Sequence, residues 1–230
     1  MHHRKPRTPT TTKTAIRLGA AVTAGLAITT ITTTARATPT RTGTFPHAAI
    51  AVDTAYSHAD RTHMNQFQKT FAIHEYGPTT AVTANNRATA ISAGCSTDNP
   101  CRSIALSYQI VTTAGPNARL INATNLSQAV NNHCPTCQTL SAAYQFIITT
   151  PRQLTLSRQA RTELADINRQ IDTLKTSRLP IDQITHHADN LAHQIKTILD
   201  REAAQAPRTS NTTNPHTHFT PTVTMHRHIR

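Results

Sequence analysis

The sequence predicts an α+β protein: a small three- to four-stranded sheet with one short helix, then an antiparallel helical hairpin, between disordered Thr-rich ends. An internal repeat with apolar residues at alternate positions indicates strands. After Pro151 the apolar spacing changes to the 4-3-4-3 pattern of amphipathic helices. The two ends are too polar to bury a core.

The repeat relates Cys101–Thr113 to Cys137–Thr149 at an offset of 36 residues. Each copy opens with Cys and reaches a Tyr-Gln pair, at Tyr108-Gln109 and Tyr144-Gln145. Apolar residues alternate in both copies, which predicts two strands with one buried face. These residues are Ile104, Leu106, Tyr108 and Ile110 in the first copy, and Leu140, Ala142, Tyr144 and Phe146 in the second.

The rest of the predicted core, residues 85–150, is built around these copies. Arg87–Ala93 is predicted as a further strand, and Ala118–Ile121 as a short returning strand. Leu126 to Asn131 is predicted as a short helix, because Leu126 and Val130 lie four residues apart and Asn122 or Thr124 can cap it.

Residues 151–204 are predicted to form the hairpin, with Ser177–Pro180 as its turn. We expect its helices to pack on one another and on the sheet, and a second copy of the chain is the alternative partner. The apolar stripes are Ala160, Leu164, Ile167, Ile171 and Leu174 in one helix, and Ile184, Ala188, Leu191, Ile195 and Ile198 in the other.

The flanking segments have no clear period. Residues 38–84 are predicted to be a mostly irregular extension rich in Thr, Ala and His, with a short helix around 58–71. Residues 205–230 are predicted to be a disordered tail rich in His, Thr and Arg.

Residues 1–37 have the layout of a secretory signal peptide. Basic residues precede the weakly apolar stretch Leu18–Ile31, which is too short to span a bilayer. Ala35-Arg36-Ala37 then supplies the small-x-small pattern of a cleavage site, with Thr38 as the first mature residue. We therefore expect a secreted or cell-envelope protein that contacts the membrane only through this segment, with an uncleaved anchor as the alternative.

The positive charge of the chain lies largely in this signal. Its six basic residues account for half of the formal net charge of +12, so +6 remains after cleavage. Trp is absent and aromatic residues make up 4% of the chain. Nucleic-acid binding needs a concentrated basic surface, often with stacking aromatics, so we expect none here.

The four cysteines form two close pairs, Cys95 with Cys101 and Cys134 with Cys137, and each pair precedes a repeat copy. An even count in an exported chain favours disulfides, and the repeat favours local pairing. A zinc site formed by all four thiolates is an alternative, although the first spacing departs from the usual C-x2-C. Redox-active thiols at the CxxC segment, Cys134 to Cys137, are another.

No catalytic constellation is recognisable in the sequence. His74-Glu75 begins like the metalloprotease motif H-E-x-x-H, but Pro78 stands where the second His belongs. His186 and His193 share one face of a predicted helix, where solvent exposure explains them. His216, His218, His226 and His228 in the tail could bind metal weakly. We therefore expect no cofactor and a non-enzymatic protein.

Residues 84–204 resemble a group of uncharacterised exported proteins of actinobacteria. The resemblance rests on Cys101 to Ile110, the Asn-rich segment Asn125 to Cys134, and Cys137 to Phe146. Some members are labelled "peptide zinc metalloprotease protein", but this chain lacks H-E-x-x-H, so proteolysis is not carried over. The resemblance implies an exported domain with paired cysteines.

The expected function is a secreted or envelope-associated interaction or structural protein, with an unknown protein or cell-wall partner. A metal-binding module that uses the four cysteines or the His-rich tail is one alternative. An extracytoplasmic thiol-disulfide oxidoreductase that uses Cys134 and Cys137 is the other.

Overall fold

Strands dominate the structure. The computed structural model describes residues 47–115, 120–206 and 220–230, all within one compact unit. The strands are β1 (His47–Ala59), β2 (Asn65–Ala93), β3 (Arg102–Ala114), β4 (Leu120–Asn132), β5 (Gln138–Thr150) and β6 (Thr222–Ile229). The helices are α1 (Arg158–Thr173) and α2 (Ile181–Gln205), joined by a 3-10 turn at Leu174–Thr176.

The long strand β2 takes part in two parallel arrangements. Its second half, from residue 79, pairs with β1 and with β4 to form the first sheet. Its first half pairs with β3, which pairs with β5, and the antiparallel strand β6 completes this second sheet. The register shifts between Glu75 and Pro78, where β2 passes from one sheet to the other.

These pairings make the chain wind as a β-solenoid of three coils. The first coil is β1 with residues 65–78, the second is residues 79–93 with β3, and the third is β4 with β5. Each strand pairs in parallel with its equivalent in the next coil. Side chains at equivalent positions therefore stack in rows along the solenoid axis.

Small residues fill the space between the two sheets. Ala55, Ala88 and Ala90 of the first sheet pack against Ala105 and Ala143 of the second. Alternation along each strand sends every second side chain into this layer. The thin layer explains why so many alanines are buried.

The opposite face of the second sheet packs on the helices and forms the main core. Both faces of β3 and β5 are therefore buried. The two apolar stripes of the hairpin were predicted correctly, since every residue of both is buried. Glu163 near the start of α1 pairs with Arg201 near the end of α2, which shows that the two helices lie antiparallel.

The predicted fold class is wrong in its sheet. Six strands are present among the described residues instead of three or four. The short helix expected at Leu126 to Asn131 is part of β4. A spacing of four residues places Leu126 and Val130 on one face of a strand as well as on one face of a helix, so the pattern did not distinguish them. The strand expected at Arg87–Ala93 is the end of β2.

The predictions for the flanking segments are also wrong where the structure describes them. Residues 38–84, expected to be irregular with a helix around 58–71, contain β1 and most of β2. The tail 205–230, expected to be disordered, contains β6. Strand β6 forms because Val223, Met225 and Ile229 pack against the main core. The proposed signal, with Ala35, Ala37 and Thr38, lies outside the described residues.

Candidate functional site

The outward surface of the first sheet, termed here the outer face, exposes large apolar side chains. In β1 the alanines at 49, 51 and 55 point inward, so Ile50 and Val52 point outward. The exposed fractions are 69% for Ile50, 61% for Val52, 43% for Tyr56 and 49% for Leu126. No other part of the described chain covers these four side chains.

The rows of the outer face alternate apolar, hydroxyl and amide groups. Val52, Asn85 and Thr124 stand side by side in one row, and Thr54, Arg87 and Leu126 in the next. Among the described residues on this face none is acidic, and Arg87 is its one Lys or Arg. Three strands of this length span roughly 600 Å² at ordinary strand spacings. A partner that binds the outer face would therefore cover a surface that is nearly neutral.

A polar ladder runs along the solenoid between the sheets. Asp53, Asn86 and Asn125 occupy equivalent positions in the three coils. The Asn86 side-chain amide donates to Asn125 Oδ1 at 2.9 Å, and Ser107 Oγ donates to Asn86 Oδ1 at 2.6 Å. Because buried amides are costly without partners, this ladder fixes the register of the coils.

The repeated glutamines form a second ladder. Gln145 Nε2 donates to Gln109 Oε1 at 2.8 Å, and Gln109 Nε2 donates to Asp53 Oδ2 at 2.7 Å. His74 Nε2 lies 2.8 Å from the same Asp53 oxygen. This ladder ties the second and third coils to the first.

His74 and Glu75 do not form a protease site. They are consecutive strand residues, so their side chains point to opposite faces. Glu75 accepts a hydrogen bond from Leu156 N–H at 2.8 Å and pairs with Arg161. Glu75 therefore links the first coil to the helical hairpin, whereas His74 contacts Asp53 within the first coil.

The repeated tyrosines stack between the second sheet and α2. The rings of Tyr108 and Tyr144 have centroids 4.8 Å apart, and Phe71 of the first coil continues the stack. Tyr108 donates to Ala188 O and Tyr144 to Asp189 Oδ1. Burial raises the pKa of both phenols above the usual value, so they act as neutral donors that anchor the helix.

The two cysteine pairs close adjacent corners of the solenoid. Cys95 is bonded to Cys101 and Cys134 to Cys137, so the expected local pairing is confirmed. The corner that joins the strands of the first coil has no cysteine, and Ala59 packs against the disulfides from there. The Sγ atoms of Cys95, Cys101 and Cys137 all lie within 4.8 Å of one another. The two disulfides thus form one cluster, termed here the cysteine corner.

The histidines are dispersed. His186, His187 and His193 are exposed on α2. In the tail, His226 and His228 belong to β6, and His228 Nδ1 accepts from Ser127 N–H at 3.1 Å. His216 and His218 lie outside the described residues. Within the described ranges, the cysteine corner is the one cluster of three or more metal-ligating side chains.

A shallow groove lies between the two helices on their solvent side. It has a volume of about 390 Å³ and includes Glu163, Gln170, Gln194 and Arg201. Arg201 Nη2 donates to Glu163 Oε2 at 2.7 Å, and Asp166 adds a second carboxylate to the lining of the groove. The groove brings together no set of groups suited to catalysis.

Two features of these sites escaped the sequence analysis. Residues 64–75 are a third copy of the repeat, in which Met64 replaces the cysteine and Phe71-Ala72 replaces Tyr-Gln. The Asp53, Asn86 and Asn125 ladder was also missed. The first lies 37 residues before the next copy instead of 36, so a search that allowed a shift of one residue would have found it: Phe67, Phe71 and Ile73 pair with Ile104, Tyr108 and Ile110.

Comparisons with protein-family models, curated proteins and solved structures find no match to this chain. Within the described residues, neither helix is apolar enough over a sufficient length to cross a bilayer.

Proposed function

We propose that this chain is a secreted or cell-envelope-associated, non-enzymatic interaction protein whose outer face binds a partner protein. The observation that carries the proposal is the exposure of Ile50, Val52, Tyr56 and Leu126 on one regular sheet face. Ile50 and Val52 are neighbours on the outward face of β1, and exposed apolar groups that adjoin in this way commonly mark interaction sites. The disulfide-linked solenoid supplies a rigid platform for this face.

The charge of the outer face favours one kind of partner. Among the described residues, Arg87 has neutral neighbours on the outer face and donates one hydrogen bond, a long one of 3.5 Å, to Gln128 Oε1. An apolar protein surface that presents a carboxylate to Arg87 would complement it. The area of roughly 600 Å² is close to the ~800 Å² that each side of a standard interface buries.

Export is supported by two independent features. Disulfides persist in oxidising compartments, and both cysteine pairs are bonded. The signal-like residues 1–37 agree with that compartment. Intact mass and N-terminal sequencing of protein from culture medium test this part: the chain should begin at Thr38 and hold two disulfides. Retention in the cytoplasm would contradict export.

The binding face is tested with the double variant Ile50→Thr/Val52→Thr. Threonine retains the β-branched shape suited to a strand while it removes apolar area. Each change should weaken binding by about 1 kcal/mol, so the double variant should bind about tenfold to thirtyfold more weakly. Binding of purified protein to isolated envelopes, measured by cosedimentation over a concentration series, gives this ratio.

Met64→Thr is the matched control, because Met64 is also exposed, at 41%, but lies in a corner off the outer face. It should bind as the unaltered chain does, and Arg87→Gln should weaken binding like the double variant. Equal binding by the double variant would overturn the role of the outer face. Binding that survives protease treatment of the envelopes would indicate a cell-wall glycan and overturn the protein partner.

A further inference from the structure

We propose that the cysteine corner is a thiol–disulfide exchange site, in which reduction of Cys134–Cys137 by a dithiol moves the remaining disulfide to Cys101–Cys137. The substrate class is a dithiol that reaches the corner from solvent. This activity goes beyond the proposed binding function and rests on different residues.

The first support is the distance between the two disulfides. Cys95, Cys101 and Cys137 place their Sγ atoms within 4.8 Å of one another, although Cys137 is bonded to neither of the others. Cys101 N–H also donates to Cys137 Sγ at 3.0 Å. This N–H would stabilise negative charge on the sulfur once the Cys134–Cys137 bond is reduced.

The second support is the strand register. Strand β3 pairs with β5 from Arg102 and Gln138 onward, and Gln138 N–H donates to Cys101 O at 2.9 Å. Cys101 and Cys137 are therefore neighbours across a parallel ladder, where Cα atoms lie about 4.8 Å apart. That separation falls within the usual Cα range of disulfides, roughly 4.4–6.8 Å, so a bridge between them needs no rearrangement of the strands.

Exposure determines where an external thiol can act. Cys95, Cys101 and Cys134 are at most 4% exposed, whereas Cys137 is half-buried. Access to a disulfide sulfur governs which bond is attacked. The pair that includes Cys137 is therefore reduced first.

The exchange takes place in two steps. The external dithiol gives two electrons and two protons to the Cys134–Cys137 bond and leaves as a disulfide. The Cys137 thiolate then attacks Cys101 Sγ, a new Cys137–Cys101 bond forms, and the Cys101–Cys95 bond breaks. Cys95 leaves as a thiolate and takes up the proton that Cys137 released. The second step changes no oxidation state, and it replaces a bridge within one corner by a bridge between two coils.

The test is trapping of the partly reduced protein. Folded protein is treated with limiting dithiothreitol, quenched with N-ethylmaleimide, digested, and analysed by tandem mass spectrometry. The two-thiol species should carry label on Cys95 and Cys134, with Cys101 linked to Cys137. Label on Cys134 and Cys137 with Cys95–Cys101 intact would overturn the proposal. So would a Cys95–Cys137 link, reduction of all four cysteines without an intermediate, or resistance of both bonds.

A pair of double variants isolates the crossed bridge. Cys95→Ser/Cys134→Ser retains Cys101 and Cys137, which should form one disulfide in air. Cys101→Ser/Cys137→Ser is the matched control and should retain two free thiols. Circular dichroism checks that both fold, and the trapping experiment decides the question if either does not. The exchange would be contradicted if the Cys101→Ser/Cys137→Ser control also formed a disulfide. It would also be contradicted if folded Cys95→Ser/Cys134→Ser kept both thiols reduced in air.

Discussion

At the scale of single residues, Asp60 shapes the corner of the first coil, which has no disulfide. Its Oδ1 accepts hydrogen bonds from Thr62 Oγ1 at 2.6 Å, and from Thr62 N–H and His63 N–H at 2.8 Å each. These donors, led by the Thr62 hydroxyl, lower the pKa of Asp60 to about 2. Hydrogen bonds thus take the place of the covalent bridge that closes the other two corners.

Replacing Thr62 tests this arrangement. Thr62→Val should raise the pKa of Asp60 towards its ordinary value, whereas Thr62→Ser, which retains the hydroxyl, should leave it low. Because the folded pKa lies below the unfolded one, the carboxylate stabilises the fold above about pH 4, and this contribution is lost as pH falls towards 2. NMR titration of the Asp60 carboxyl carbon measures the midpoint, and equal midpoints in the two variants would contradict the role of the hydroxyl.

Two further corner residues have left-handed backbone. Gly94 has φ +67° and His133 has φ 50°, and each directly precedes the first cysteine of its corner. Glycine adopts this region without steric cost, whereas histidine does not.

His133→Gly should therefore raise the free energy of unfolding by about 0.5–1 kcal/mol, and Gly94→Ala should lower it by about 1 kcal/mol. Urea denaturation of the oxidised protein measures both. The left-handed conformation would be unimportant for stability if neither variant changed the midpoint.

At the scale of elements, the start of α1 is held by a carboxylate from α2. Ser157 caps α1 through a hydrogen bond from Ala160 N–H at 3.1 Å. The buried Glu202 accepts from Ser157 N–H at 2.7 Å and from Ser157 Oγ at 2.9 Å. A negative charge at a helix N-terminus is favourable, so Glu202 links the two helices where they would otherwise fray.

Glu202→Ala should lower the free energy of unfolding by about 2–3 kcal/mol, because it removes two charge-assisted hydrogen bonds from a buried position. Glu163→Ala is the control, since its partner Arg201 is partly exposed and such pairs contribute less than about 1 kcal/mol. Thermal and urea denaturation compare the two. Equal losses would show that the buried hydrogen bonds of Glu202 contribute no more to stability than the partly exposed ion pair of Glu163.

At the scale of the whole molecule, local patterns predicted the two helices of the hairpin and the cysteine pairing, but they also predicted helices at Leu126 to Asn131 and around 58–71 that are strands, and they did not predict the solenoid. The spacing of Leu164 and Ile167 indicates a helix because both residues lie on the apolar stripe of α1. In β1 the pattern is inverted, since small alanines point inward and Ile50 and Val52 point outward. The parallel pairing of β1 with β2 joins residues about 33 positions apart, and the interior Asp53 and Asn86 give no apolar signal.

The edge of the second sheet at β5 explains why the tail folds. A parallel strand at a sheet edge leaves a row of unpaired backbone groups that can recruit another chain. At the end of the third coil, β6 covers the edge of β5 in antiparallel pairing, as far as Arg230 with Ser141. Asn125 Nδ2 donates to His226 O at 2.9 Å, so β6 is also fastened to the first sheet.

A chain that ends at residue 219 should therefore lose both stability and solubility. The apolar contacts of Val223, Met225 and Ile229 together contribute roughly 3 kcal/mol, and the uncovered edge of β5 should promote self-association. Urea denaturation and light scattering measure the two effects. The full chain with His226→Ala is the control, because it removes an exposed side chain and retains the strand. If the shortened chain had the same urea midpoint as this control and the same mass in solution by light scattering, β6 would be an accessory strand and not the cap of the solenoid.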